Sequence, residues 1–204
     1  MSVLQSPTIG ILALQGDFLE HQRACSSLQC SSLLIKRPEQ LQSINGLILP
    51  GGESTTIWKL LCMYGFIDPL TDHINQGLPV WGTCAGMILL CSSISEGTSD
   101  QGSFHAIDIT VRRNAFGRQV DSFEECIPIK RIAEDPAFPC IFIRAPFIEK
   151  TGQQVEILGT TASGEIIAAQ QERILVSSFH PELTHDSRFI HYFVELAQIS
   201  QYNC

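Results

Sequence analysis

The chain has 204 residues, a formal net charge of −8, 44% hydrophobic side chains and 17% charged ones. That length suits one domain, residues 1–204, with a sizeable core. An acidic chain without a basic run is a poor match for nucleic acid or an anionic membrane. No apolar run approaches the roughly 18 residues of a membrane span, and Met1–Gln5 lacks the basic and apolar regions of a signal peptide.

The order of elements is legible from hydrophobic pattern. Residues 8–14 form a continuous apolar run, read as a strand buried on both faces. Gln15-Gly16-Asp17 then turns the chain, and Asp17 is placed to cap a helix through about residue 27. Strands follow at 33–35 and 46–49, with a short helical connector at 38–42. Helical pattern runs over 55–64 and 68–75 before a strand at Val80-Trp81. This alternation predicts an α/β fold, a doubly wound and mostly parallel sheet with helices on both faces. The second half reads differently. Short strands at 107–111, 123–127, 141–144, 155–158, 166–169 and 174–178 have few helices between them. They predict a smaller antiparallel addition on the same core, closed by a helix over 187–197 capped by Asp186.

Eight cysteines suggest a disulfide framework, but none forms a Cys-x-x-Cys pair and several lie inside apolar runs. A chain of this size does not need staples, so reduced thiols in the cytoplasm are expected. Closely paired Cys or His ligands are absent as well, so neither a metal nor another cofactor is expected.

One cysteine stands apart. In Trp81-Gly82-Thr83-Cys84-Ala85-Gly86-Met87 a buried strand passes through a Gly-x-Cys-x-Gly turn into an apolar helix. That is the layout of a nucleophile elbow with cysteine in place of serine. The following helix would turn free N–H groups on the sulfur, favouring thiolate over thiol. Taken alone, Cys84 is equally well a small buried side chain. Three further stretches bear on the choice. His180-Pro181-Glu182 follows a core strand, and in extended chain residues two apart share a side, so Glu182 can orient the His180 imidazole. Alone, this tripeptide is an ordinary turn. Pro50-Gly51-Gly52-Glu53-Ser54 follows the strand expected beside the elbow strand. Its N–H groups, with that of Ala85, would form an oxyanion hole from Gly51, Gly52 and Ala85, although a Gly-Gly loop capped by Ser54 reads the same locally. Arginines in 112–119 and at Arg144 could fork a substrate carboxylate, or could simply sit in surface ion pairs.

Together these residues resemble the class I, or triad, glutamine amidotransferases, and within them the branch that serves pyridoxal 5′-phosphate synthase as its glutaminase subunit. The matching segments are 10–17 (GILALQGD), 49–55 (LPGGEST), 81–87 (WGTCAGM), 113–124 (RNAFGRQVDSFE), 144–149 (RAPFIE) and 179–184 (FHPELT). The elbow and His-x-Glu are common to many amidotransferases, whereas 113–124 with 144–149 pick out this branch. The resemblance implies hydrolysis of L-glutamine to glutamate and ammonia by Cys84, His180 and Glu182. It implies glutamine binding by Gly52, Glu53, Ser54, Arg113, Ile143 and Arg144. It also implies a partner, a synthase subunit in a large hetero-oligomer that receives the ammonia through a tunnel and activates the glutaminase. Gln15, Gly16 and Asp17 are candidates for that contact. Other triad amidotransferases, a γ-glutamyl hydrolase, and a non-catalytic thiol sensor or chaperone of the same fold remain as alternatives.

Overall fold

The structure is a computed structural model and describes residues 6–95, 100–113 and 122–199. It begins with β1 (Thr8–Leu12), α1 (Phe18–Ser27), β2 (Ser31–Ile35), a 3-10 turn at Pro38–Ser43, β3 (Gly46–Leu49), α2 (Ser54–Met63), α3 (Ile67–Asn75), β4 (Val80–Thr83) and α4 (Ala85–Leu90). It continues with β5 (Cys91–Ser95), β6 (Ile107–Arg112), β7 (Ser122–Ile129), β8 (Ala133–Ile143), β9 (Phe147–Thr151), β10 (Glu156–Thr160), β11 (Ile166–Gln171), β12 (Ile174–Ser177), a 3-10 turn at Pro181–Leu183, and α5 (Arg188–Ile199).

Ten strands form one sheet in the order β2-β1-β3-β4-β12-β11-β9-β6-β5, with β10 paired to β11 off that path. The five strands from β2 to β12 run parallel. Every residue of β3, β4 and β12 is buried, so these strands are apolar on both faces, which is what a covered parallel sheet demands. Side chains alternate across it. Leu47, Leu49, Val80 and Val176 join one core with Ile57 and Leu61 of α2 and Leu70 of α3. Ile48, Trp81 and Leu175 join the other with Cys25 of α1 and Phe189 and Phe193 of α5. Trp81 stacks on Phe189 at 5.1 Å between ring centroids.

The second half departs in part from the pattern the sequence suggests. β9, β10 and β11 do add antiparallel pairs, and β7 with β8 forms a separate two-stranded sheet. However, β12 returns to the parallel core between β4 and β11, and β5 and β6 pair in parallel. Strands β5 and β9 are not evident in the sequence. The apolar run of α4 continues into β5 without a breaker, so periodicity cannot separate them. The strand expected at 141–144 is the end of the longer β8, which stops at Ile143 and leaves Arg144 outside it. At α5, the Arg188 N–H donates to Asp186 Oδ1 at 3.0 Å, so Asp186 does tie down the helix start.

Because β1, β3, β4 and β12 are parallel, their carboxyl ends share one edge. From it emerge Gln15–Asp17, Pro50–Ser54, Cys84 and His180. Open α/β sheets bind ligands along this edge.

Candidate active site

Cys84 sits at φ +48°, ψ −101°, a backbone state that a non-glycine residue adopts only when its surroundings impose it. Those surroundings are tight. The Cys84 N–H donates to Ser177 O of β12 at 2.7 Å. A Cβ on Gly86 would lie 2.0 Å from Leu49 O of β3, so only glycine lets α4 press on the sheet behind the elbow. The helix is short and fully buried, six residues over Ala85–Leu90.

His180 is fixed from two sides. Its N–H donates to Ile141 O of β8 at 2.9 Å, and its Nδ1 lies 2.6 Å from Glu182 Oε1. The contact with Glu182 is the one expected, but the backbone route differs. Pro181–Leu183 is a 3-10 turn, and that curl, not an extended chain, brings Glu182 back beneath the ring. With Nδ1 occupied, the ring's other nitrogen is left for the Cys84 thiol, which lines the same cleft. Burial opposes the imidazolium charge. Hydrogen bonds to Asp17, Cys84 and Glu182, and the charge of Glu182, outweigh it and push the His180 pKa up to about 12.

Asp17 is the departure of most consequence. It holds the N-cap position of α1 but makes no side-chain cap bond. Its Oδ2 lies 3.0 Å from His180 Nδ1 instead. Burial raises its pKa, yet hydrogen bonds to His180 and Glu182 and the charges of His21 and His180 bring it down to about 2. Behind this layer lies His21, fully buried, a residue the sequence gives no reason to single out. Its Nε2 is 3.1 Å from Thr83 Oγ1 and 3.5 Å from Glu182 Oε2. A histidine on the inner face of an amphipathic helix looks like any core residue until the fold sets it beside a buried carboxylate. Among the described residues, Asp17, His21 and Glu182 form the one group whose ligand atoms lie close enough to hold a metal, within 4.8 Å. Asp17 and Glu182 are already engaged with His180.

A cleft of about 350 Å³ opens in front of Cys84. Its lining includes Gln15, Asp17, Gly52, Glu53, Ser54, Cys84, Ala85, Arg113, Ile143, Arg144 and His180. Gly51 packs behind, where a Cβ would meet His180 Cε1 at 2.6 Å, and Gly16 lies against the Gly51 carbonyl. Arg113 Nη2 is 3.2 Å from Glu53 Oε1, which also accepts from Thr55 Oγ1. The Glu53 N–H donates to Gln15 Oε1 at 2.9 Å, tying the loop after β1 to the loop after β3. The Ser54 hydroxyl donates to Gln101 Oε1 at 2.7 Å, a partner that no motif announces. The arginines divide. Arg113 and Arg144 face the cleft, whereas Arg112 pairs with Glu149 at 2.5 Å. Residues 114–121, including Arg118, lie outside the described residues.

The other described cysteines are free. Burial pushes the Cys25 and Cys91 thiols up to about 12 and that of Cys140 higher still. Such thiols are poor nucleophiles.

Known proteins place this geometry. Residues 11–199 match the SNO glutamine amidotransferase family. The chain is 50% identical over 190 residues to the pyridoxal 5′-phosphate synthase subunit PdxT of Dehalococcoides mccartyi, covering 93% of this chain and 97% of that one. It is 49% identical over 189 residues to the protein of the same name from a Roseiflexus species, covering 93% and 100%. A crystal structure of a glutamine amidotransferase superimposes with a TM-score of 0.87 at 43% identity, covering 93% of this chain and 98% of that one. With the family matched over nearly the whole chain and the elbow, His-x-Glu turn and cleft assembled at one sheet edge, the chain belongs to the SNO glutamine amidotransferase family.

Proposed function

We propose that this chain hydrolyses L-glutamine to L-glutamate and ammonia, and that the ammonia passes to the synthase subunit of a pyridoxal 5′-phosphate synthase within a hetero-oligomer. The observation that carries the reading is Cys84 facing a His180 whose far nitrogen is held 2.6 Å from Glu182, at the floor of a cleft lined by Arg113 and Glu53. A carboxylate and a cation on one wall suit the two ends of an α-amino acid. A volume of about 350 Å³ lies at the small end of ligand sites, roughly 300–1,000 Å³. That favours glutamine over the larger substrate of a γ-glutamyl hydrolase. A thiol sensor or chaperone has no use for Glu182 or Arg113.

The chemistry runs in two steps. Cys84 Sγ attacks the side-chain amide carbon of glutamine, and the carbonyl oxygen takes up negative charge. The N–H groups of Ala85 and the Gly51-Gly52 segment stabilise that oxyanion. His180, as imidazolium, protonates the amide nitrogen. The C–N bond breaks, ammonia leaves, and a γ-glutamyl thioester remains on Cys84. His180, now neutral, takes a proton from water as the water attacks the thioester. The C–S bond breaks and glutamate departs. Gly52, Glu53, Ser54, Arg113, Ile143 and Arg144 hold the amino acid in place. Gln15, Gly16 and Asp17 form the partner-facing loop. The bond from the Glu53 N–H to Gln15 gives partner docking a direct mechanical link to the glutamine-binding loop.

The test is glutamate release from glutamine, by the chain alone and with a synthase subunit from the same source. The expected outcome is turnover that the partner stimulates and that Cys84→Ala lowers by about 10⁴-fold or more, with glutamine binding retained. Partner-independent turnover would overturn the synthase assignment. Substantial activity in Cys84→Ala would overturn the triad.

A further inference from the structure

A triad needs one carboxylate on the imidazole, and here His180 Nδ1 faces two. Glu182 Oε1 is at 2.6 Å and Asp17 Oδ2 at 3.0 Å. They arrive from different elements, Glu182 from the turn after β12 and Asp17 from the residue before α1. An aspartate at a helix N-cap ordinarily turns its oxygens onto the free N–H groups of its own helix. Asp17 forgoes that bond. Its N–H donates to Gly51 O at 3.3 Å, and a Cβ on Gly51 would come within 2.8 Å of Asp17 Oδ2. Carboxylate, imidazole and the bare Gly51 Cα are thus packed as a unit.

We propose that Asp17 is a positioning residue for His180: with Glu182 it grips the Nδ1–H edge, keeps the opposite nitrogen turned to Cys84, and stabilises the imidazolium that protonates departing ammonia. The kinetic consequence rests on the glutaminase reading above; the geometric role does not.

The physical argument is electrostatic. An anion within hydrogen-bond reach of an imidazole favours its charged form by one to three pH units, roughly. Asp17 is ionised across the working range, its pKa lying near 2. Its side chain is 22% exposed against none for Glu182, so solvent screens it more and the lower part of that range applies. Other titratable groups near His180 are Cys84 from the elbow and His21 of α1 behind Glu182, with Glu53, Arg113 and Arg144 around the cleft. Among the described residues, Asp17 and Glu182 are the two carboxylates within ion-pair distance of the ring. Removing the Asp17 charge disfavours imidazolium, so His180 gives up its proton at lower pH. The basic limb of the activity profile must then move down.

The test is Asp17→Asn, which keeps shape and removes charge, assayed as the full chain with its synthase subunit. The basic limb of kcat/KM is expected to shift down by about one pH unit, with kcat at neutral pH reduced less than about tenfold because Glu182 still holds the ring. Asp17→Glu is expected to restore the limb. Independently of turnover, ring ¹⁵N shifts of histidine-labelled protein, assigned with His180→Gln, report the charge on His180. Asp17→Asn is expected to lose imidazolium at a pH where the parent retains it. A uniform fall in rate with an unmoved limb, or an unchanged charge state, overturns the proposal. If no sample turns over glutamine, the ¹⁵N result still decides the role of Asp17, and the glutaminase reading alone fails.

Discussion

The chemistry of this protein depends on contacts a few ångströms across, and Gly51 shows how little slack they have. Its missing Cβ leaves room for His180 Cε1 and Asp17 Oδ2, which would stand 2.6 and 2.8 Å from a methyl group there. Both neighbours are already engaged, His180 by Glu182 and by Ile141 O, Asp17 by the His180 ring and by the Gly51 carbonyl itself. Neither can retreat freely. Gly51→Ala should therefore tilt the imidazole away from Cys84. Misplacement of about 1 Å costs on the order of 100-fold in rate, so kcat is expected to fall by that order while the melting temperature moves little. Steady-state kinetics beside a thermal melt checks this; a large drop in melting temperature with kcat preserved in the folded fraction would contradict it. The contrast with Cys25, Cys91 and Cys140 makes the same point. Burial raises those thiols, whereas Cys84, alone among the described cysteines, is brought to the cleft beside a histidine.

The elbow is the element on which the site turns. β4 passes into α4 through one residue at φ +48°, and the strain is sustained because both neighbouring parallel strands touch the turn. β12 receives the Cys84 N–H, and β3 presses its Leu49 carbonyl on Gly86. A Cβ at position 86 would overlap that backbone oxygen at 2.0 Å, and backbone cannot swing aside as a side chain can. Gly86→Ala is expected to cost about 3 kcal/mol or more, roughly 6–12 °C in melting temperature for a chain of this size. Differential scanning calorimetry measures it, and a melting temperature unchanged from the parent would show that α4 does not need its close seat on β3. The His180-Pro181-Glu182 turn is the complementary element. Its 3-10 curl places the carboxylate under the ring within three residues.

At the scale of the whole molecule, stability comes from two cores divided by the sheet, not from covalent staples. Aromatic side chains of β4, β8 and α5 and the Phe179 that precedes His180 fill one core, with Phe179 and Phe189 edge to face at 5.4 Å. All seven described cysteines are free. The urea midpoint and melting temperature are accordingly expected to be the same with and without a strong thiol reductant. A fall on reduction would reveal a stabilising disulfide. Among the described residues, no helix is long and apolar enough to cross a membrane.

What the sequence determined by itself was whatever lies in a short span of chain. Strands β1, β3, β4 and β12 are legible because burial on both faces demands unbroken apolar runs. Cys84 is legible because an elbow needs small residues on either side of the nucleophile. His180 and Glu182 are legible because they lie two residues apart. The tertiary structure decided what depends on elements distant in sequence. β12 joins the parallel core because a place was open beside β4, which its own apolar pattern cannot express. Strand β5 separates from α4 only where β6 offers it a partner. Asp17 has the local signature of a helix cap, and only packing of the loop after β3 against the turn after β12 turns its carboxylate to His180. His21 and Gln101 acquire roles through contacts with Glu182 and Ser54, residues far along the chain. Local pattern is set by the periodicity of the backbone, whereas these contacts are set by which ends of which strands the sheet gathers at one edge.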